Sequence, residues 1–302
     1  MKTKSWIYFS IAAALFWGVW GVVAKFISEA VNPYTNHVLF TVGMLVTLPF
    51  ILGKIRNQTP NRAGILWGIL AGVFAVIGNI SVFKAFTLGG LAAIVIPVTN
   101  LYPLVTIVFA LLVFKEKLNG LNFVGILLAI PAVAMLSGQS LLFENPAEFV
   151  RNIGLSPWLL YSFGALFFWG IFSATQKITT NHISAEWAYA AFIVSSVLLS
   201  VGFVAFGQVD FTFSKTTFWL GSLAGTLNGL GVLCSFAAYK AEGKASQVTT
   251  IAGALQPVFT IVLAILFLSE KIALLEVLGI AIAILAALAL SYEKPKPRVI
   301  SA

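Results

Sequence analysis

One feature recurs along the whole chain: apolar stretches of about twenty residues, set apart by short polar breaks. A helix needs roughly 20 apolar residues to cross the hydrocarbon core of a bilayer. Ten such stretches can be placed, at about residues 6–28, 33–53, 63–86, 91–114, 119–138, 157–178, 186–207, 217–239, 245–268 and 272–291. Only 9% of the 302 residues are charged, against roughly 25% in a soluble domain. No soluble fold of this size buries that much apolar surface. The expectation is an all-α membrane protein with ten transmembrane helices. Lys2 and Lys4 ahead of an apolar run imitate a secretion signal. The run is too long for one, so residues 6–28 are expected to remain as the first span.

The breaks are short except for residues 139–156, which hold Glu144, Pro146, Glu148 and Arg151 and form the natural linker. It separates a first five-helix unit, 1–138, from a second, 157–302, that ends in a polar tail. Lys and Arg collect on the cytoplasmic side of membrane proteins. With both termini inside, 13 of the 18 fall on the inner face, leaving Lys25, Lys84, Arg151, Lys215 and Lys271 outside. The net charge of +8 thus reflects topology and anionic inner lipid, and no nucleic acid partner is expected. The lipid bilayer and a small-molecule solute are the expected partners, to a chain that is a monomer or homodimer in the plasma (inner) membrane.

The two units repeat one another. Phe16-Trp17-Gly18 and Lys25 return as Phe168-Trp169-Gly170 and Lys177, 152 residues later. The ladder Gly64, Gly68, Gly72 is matched by Gly221, Gly225, Gly229, with Gly68 and Gly72 at an offset of 153 from Gly221 and Gly225. Pro103 and Glu116-Lys117 match Pro257 and Glu270-Lys271 at an offset of 154. From Pro103 to Ile130, 13 of 28 positions equal those from Pro257 to Ile284. Five spans per unit is odd, so the second copy is expected upside down relative to the first. Inverted repeats are a hallmark of carriers, with the solute site near the midplane where the units meet. Alternating access between inward-open and outward-open shapes follows from that arrangement.

These segments, above all VTNLYPLVTIVFALLVFKEKLNGLNFVGILLAI and AGALQPVFTIVLAILFLSEKIALLEVLGIAIAI, resemble the drug/metabolite transporter superfamily, in particular its EamA-type family. The resemblance runs over about residues 6–291. It implies ten helices in two inverted five-helix repeats, cytoplasmic termini, and amino acids, sugars, nucleotide sugars, other metabolites or drugs as solutes. Lys115 stands where the second copy has Ser269, a departure expected to be peripheral.

Several residues stand out as candidates to line a site. Pro97, Pro103 and Pro257 interrupt spans four and nine. Proline frees a backbone carbonyl, tolerated at membrane depth where protein or a water-lined cavity covers it. Asn100, Tyr102 and Gln256 lie beside these breaks. Trp17, Trp20 and Trp169 sit at mid-depth, as do Asn79 and Ser81 in span three and Asn228 and Ser235 in span eight. Polar side chains so deep face the bundle or water, and interhelical hydrogen bonding is the plainer role for them. The expected solute-binding set is Trp17, Trp20, Asn79, Asn100, Tyr102, Trp169, Gln176, Asn228 and Gln256. The glycine ladders are expected to serve close helix packing. Glu116-Lys117 and Glu270-Lys271 are expected to satisfy free backbone groups at helix ends. Lys25, Lys84 and Lys177 are expected to snorkel to the headgroups; any that points inward favours an anionic or zwitterionic solute.

No Asp or Glu sits at mid-bilayer, which weighs against proton antiport and against strongly cationic drugs. A lone Cys234, two distant histidines (His37 and His182) and no phosphate-binding loop leave neither metal site nor cofactor to expect. A membrane enzyme needs clustered acids, bases or ligands, so no enzyme is expected. Export of a metabolite or drug-like solute is the leading reading. Sugar or nucleotide-sugar uptake or exchange is the alternative, with a lipid-modifying enzyme or scramblase behind it.

Overall fold

In a computed structural model, the described part of the chain comprises residues 5–106, 108, 119–136, 156–241, 245–290 and 292, and it is helical, without strands. The first half supplies α1 (Ser5–Ser28), α2 (Pro33–Val46), α3 (Pro49–Ile55), α4 (Arg62–Thr87), α5 (Ala92–Thr99) and α6 (Gly120–Leu136). The second supplies α7 (Pro157–His182), α8 (Ala185–Ala205), α9 (Lys215–Lys240), α10 (Ala245–Leu268) and α11 (Leu274–Leu290). Six helices are long and apolar enough to cross a membrane by themselves: α1, α4, α7, α8, α9 and α10. The bent pair α2–α3 makes a seventh, and Ala92–Thr106, α6 and α11 are shorter apolar helices. The chain is therefore an integral membrane protein. Glu116, Lys117, residues 139–155 of the linker and Glu242 lie outside the described residues.

Two expected spans are not continuous helices. The stretch 33–53 bends by 55° between α2 and α3. Pro49 has no N–H to give to Leu45, and its ring crowds that carbonyl. The bend is pinned by Thr47, whose Oγ1 donates to Met44 O at 2.6 Å and lies 2.7 Å from the Tyr189 hydroxyl. The second break follows α5. Ahead of Pro103 the backbone bonds tighten, Leu101 N to Val98 O at 3.1 Å and Tyr102 N to Thr99 O at 3.1 Å, before helix resumes at 103–106. Such three-residue bonding is how a helix end absorbs groups left without partners. Pro257, by contrast, sits inside an unbroken α10.

The halves interlock reciprocally. α1 packs on α9 and α10, as α7 packs on α4 and α5; α2 packs on α9 as α8 does on α4. The atomic contacts repeat too. Thr260 Oγ1 donates to Gly18 O at 3.0 Å, and its counterpart Thr106 Oγ1 donates to Gly170 O at 3.1 Å. Gly231 faces the Trp17 indole, and its counterpart Gly78 faces the Trp169 indole. The glycine ladders seat these crossings: a Cβ on Gly225 would overlap the Phe40 carbonyl, and one on Gly72 would crowd Ser195. Only glycine lets the backbones approach so closely.

Contacts also fix directions. The end of α1 meets the end of α4, since Lys25 Nζ lies 3.4 Å from Phe86 O. The start of α4 meets the end of α7, since Gly64 faces His182 and Ile183, while Gly164 near the start of α7 faces Ser81. Thus α1 runs parallel to α4 and opposite to its sequence counterpart α7.

Candidate functional site

A cavity lies where α1, α4, α5, α7, α9 and α10 converge. Five repeat-related pairs line its centre: Trp17 with Trp169, Trp20 with Phe172, Ala75 with Asn228, Asn79 with Val232, and Tyr102 with Gln256. Phe192 of α8 closes one side. The remaining lining comes from the second half alone: Ser173, Gln176, Ser235, Tyr239, Val248 and Ala252. Their first-half counterparts, Gly21, Ala24, Val82, Phe86, Ile94 and Val98, are all buried and line no part of this cavity. The hollow is thus symmetric at its centre and one-sided beyond it. It reaches toward the end of the bundle marked by Tyr239 and Val248.

Indoles and carboxamides dominate the centre. The Trp20 and Trp169 rings lie 5.8 Å apart at 55°, a tilted geometry that aromatic quadrupoles favour. Trp169 Nε1 donates to Asn79 Oδ1 at 3.2 Å, which turns the Asn79 amide so that its N–H groups remain to donate. Gln176, 2% exposed, accepts from Ser235 Oγ at 3.4 Å, and its Nε2 has no partner. Trp20 Nε1 is likewise without an acceptor. Unpaired buried donors are costly, roughly 1–3 kcal/mol each, and a ligand carbonyl or hydroxyl would relieve them. Among the described residues, no side chain lining the cavity is acidic or basic. Its water-accessible volume is about 50 Å³, space for a few waters at roughly 10–15 Å³ each. Ligand sites for drug-sized molecules run to roughly 300–1,000 Å³, so a solute enters only as helices or side chains move.

Of the nine residues singled out in the sequence, the structure brings eight together at this cavity. Asn100 stands apart. Its Nδ2 turns back along its own helix to donate to Ile96 O at 2.9 Å, and Oδ1 faces α10 at Gly253 without a partner. The tightened backbone ahead of Pro103 aims this side chain into the contact with α10. Phe172, Ala75 and Val232 were not singled out, although the repeat offsets applied to Trp20, Asn228 and Asn79 point straight to them. Tyr239, Val248, Ala252 and Phe192 carry no such signal, since their side chains read as ordinary span residues.

Lys25 does not snorkel. It is 7% exposed, its Nζ 3.1 Å from Glu29 Oε1 and 6.0 Å from the Phe86 ring centroid. It lies on the bundle side of α1, against Glu29 and the Phe86 carbonyl. Lys84 and Lys177 are half-buried. Glu270 does satisfy free backbone groups, but those of another helix: its two oxygens accept from Ala92 N at 2.8 Å and Ala93 N at 2.9 Å.

Known proteins give this arrangement a context. A family model, the EamA-like transporter family, matches residues 4–138 and again 156–292. An uncharacterized transporter of Clostridium kluyveri is 23% identical over 312 residues, covering 97% of this chain and 94% of the relative. An uncharacterized protein of Methanocaldococcus jannaschii is 30% identical over 132 residues, covering 43% of this chain and 95% of its own length. That relative is about the size of one half. A solved crystal structure superposes with a TM-score of 0.63 at 18% identity, covering 94% of this chain and 96% of the other, which speaks for the fold. With two matches that together span nearly its whole length, the chain belongs to the EamA-like transporter family and is a membrane transporter of the drug/metabolite superfamily.

Proposed function

We propose that this transporter moves a small, uncharged or charge-balanced amphipathic solute by alternating access, with export as its working direction. Ten spans in two inverted five-helix repeats carry it, with both termini in the cytoplasm and the plasma (inner) membrane as its site. The observation that supports this reading is the one-sided cavity on a reciprocal frame. Trp17 and Trp169 face each other's half in like fashion, yet only the second half opens beyond them. Two halves with the same contacts can exchange roles, and the exchange would close the Tyr239 end while opening the Phe86 end. The Lys and Arg distribution favours a cytoplasmic Tyr239 end, and on that orientation this shape is the one closed to the outside.

The lining argues for the solute. Tryptophan, tyrosine and phenylalanine walls supply apolar contact area, and a few carboxamides set orientation. The free N–H groups of Trp20, Asn79 and Gln176 call for acceptors on the solute. A full charge in a cavity without a charged partner is costly, which favours a neutral or zwitterionic body. The test is a thermal-shift screen of the purified protein against amino acids, sugars, nucleotides and drugs. Hits then go to counterflow in proteoliposomes. A stabilising solute that exchanges across the vesicle membrane, and does so less with Gln256→Ala, supports the reading. Counterflow that is indifferent to every cavity substitution overturns it.

A further inference from the structure

The end of the bundle opposite Tyr239 carries a second, wider hollow of about 660 Å³, with Lys25, Glu29, Lys84, Phe86 and Asp210 in its walls. Phe86, 1% exposed, lines this hollow but not the central cavity, whereas its repeat counterpart Tyr239 lines the cavity. The Phe86 layer therefore separates the two. Among the described residues the central cavity has no charged side chain in its lining, whereas the outer hollow has several.

The walls are built rather than loose. Asp210 N donates to Thr35 Oγ1 at 2.9 Å, Thr35 Oγ1 to Asp210 O at 3.2 Å, and Asn32 Nδ2 to Gln208 O at 3.2 Å. These bonds fasten the loop before α9 onto the start of α2. The Thr212 hydroxyl and amide, at 2.6 and 2.8 Å, hold the Asp210 carboxyl below the usual carboxylate range. Asp210 is exposed, so solvent and salt screen its charge. Lys25 differs: an ammonium at 7% exposure needs an anion beside it. Glu29 serves, but its side chain is 58% exposed and returns to water at little cost. Lys84 has no carboxylate within ion-pair distance among the described residues.

We propose that this hollow is an external docking site for the anionic group, carboxylate or phosphate, of a charge-balanced solute, met on its way out past the Phe86 layer. The anion displaces Glu29 from Lys25, and Lys84 adds a second positive charge from the end of α4. The site rests on the carrier reading for its purpose: it meets the solute on the outer side of the Phe86 layer.

The test uses purified full-length protein and three probes of like shape: phenylacetate, phenyl phosphate and the neutral phenylacetamide. Calorimetric titration should show at least one anion binding tenfold or more tightly than phenylacetamide, and the better anion identifies carboxylate or phosphate as the natural group. Lys84→Met should weaken that anion about fivefold with the melting temperature unchanged. Glu29→Gln, by removing the competing carboxylate, should tighten it at least twofold, a gain that a merely structural ion pair would not give. Equal affinity for all three probes, no binding of either anion, or weaker anion binding by Glu29→Gln overturns the proposal. Counterflow of the cavity variants separates the two readings. If it is impaired while the anions are not preferred, this site fails and the cavity reading stands. If it is indifferent to every cavity substitution while the anion preference holds, the cavity reading fails and this site stands.

Discussion

Glu270, beyond the end of α10, caps α5 in the opposite half of the chain, its Oε1 accepting from Ala92 N at 2.8 Å. Leu91 holds the N-cap position of α5 and has no side-chain acceptor to offer. The first free N–H groups of that helix are therefore satisfied from 178 residues away. The neighbouring Ser269 has φ of 53°, a left-handed conformation that a side chain with Cβ adopts at a cost of about 1–2 kcal/mol. Two hydrogen bonds to a charged acceptor, roughly 1.5–3 kcal/mol each, outweigh that cost and aim Glu270 at α5.

Removing this carboxylate should loosen the join between the halves. Glu270→Ala is expected to lower stability by about 1–2 kcal/mol, the scale of a lost helix cap, while Glu270→Gln, which keeps one acceptor, loses less. Thermal melts in detergent would show the order wild type, Gln, Ala. An Ala variant as stable as wild type would mean that water replaces the cap at no cost.

Gln256 and Asn100 lie near the proline positions of their halves but should behave differently. Gln256→Ala is expected to weaken solute binding roughly three- to tenfold, the loss of about 1 kcal/mol of hydrogen bonding, with its melting temperature kept. Asn100→Ala is expected to act on stability alone, because its amide bonds Ile96 O and lies outside the cavity. Solute titrations of the two variants decide it; an affinity loss confined to Asn100→Ala would move the site to the break in the first half.

Reporter fusions bear on topology. Fusions after residues 56, 116, 181, 243 and 297 should read cytoplasmic, and after 31, 89, 148 and 212 external. A cytoplasmic reading at 148 would leave the halves with the same orientation and remove the basis for their exchange.

Much of this was legible before any coordinates. The Trp17–Trp169 and Tyr102–Gln256 relations were written in the offsets of 152 and 154, and a repeated pattern in one chain carries its symmetry into three dimensions. That Asn100 lies outside the cavity lining was not legible, because position beside a proline says that a carbonyl is freed, not where the side chain turns. Lys25 misled for a similar reason: snorkelling is the default for a lysine near a span end, and only the packed α4 end, with Phe86, decides that its ammonium stays inside. The partner of Glu270 was out of reach because a cap in trans leaves no trace in local spacing. One-sidedness is the least legible property of all. Phe86 and Tyr239 occupy equivalent positions of the repeat, and the offset alone does not say which of them lines the cavity.

The most direct measurement of exchange between the halves is thiol accessibility at one such equivalent pair. In a Cys234→Ser background, Ser235→Cys lines the cavity on its open side and Val82→Cys is its counterpart in the sealed core. Vesicles of each orientation are treated with a membrane-impermeant maleimide, with and without a solute found by the screen. Ser235→Cys should react only from the cytoplasmic face and Val82→Cys only from the outer face, and solute should shift the two rates in opposite directions. If both cysteines react from the same face, or if Val82→Cys stays silent under every condition while transport proceeds, the alternating-access account is contradicted.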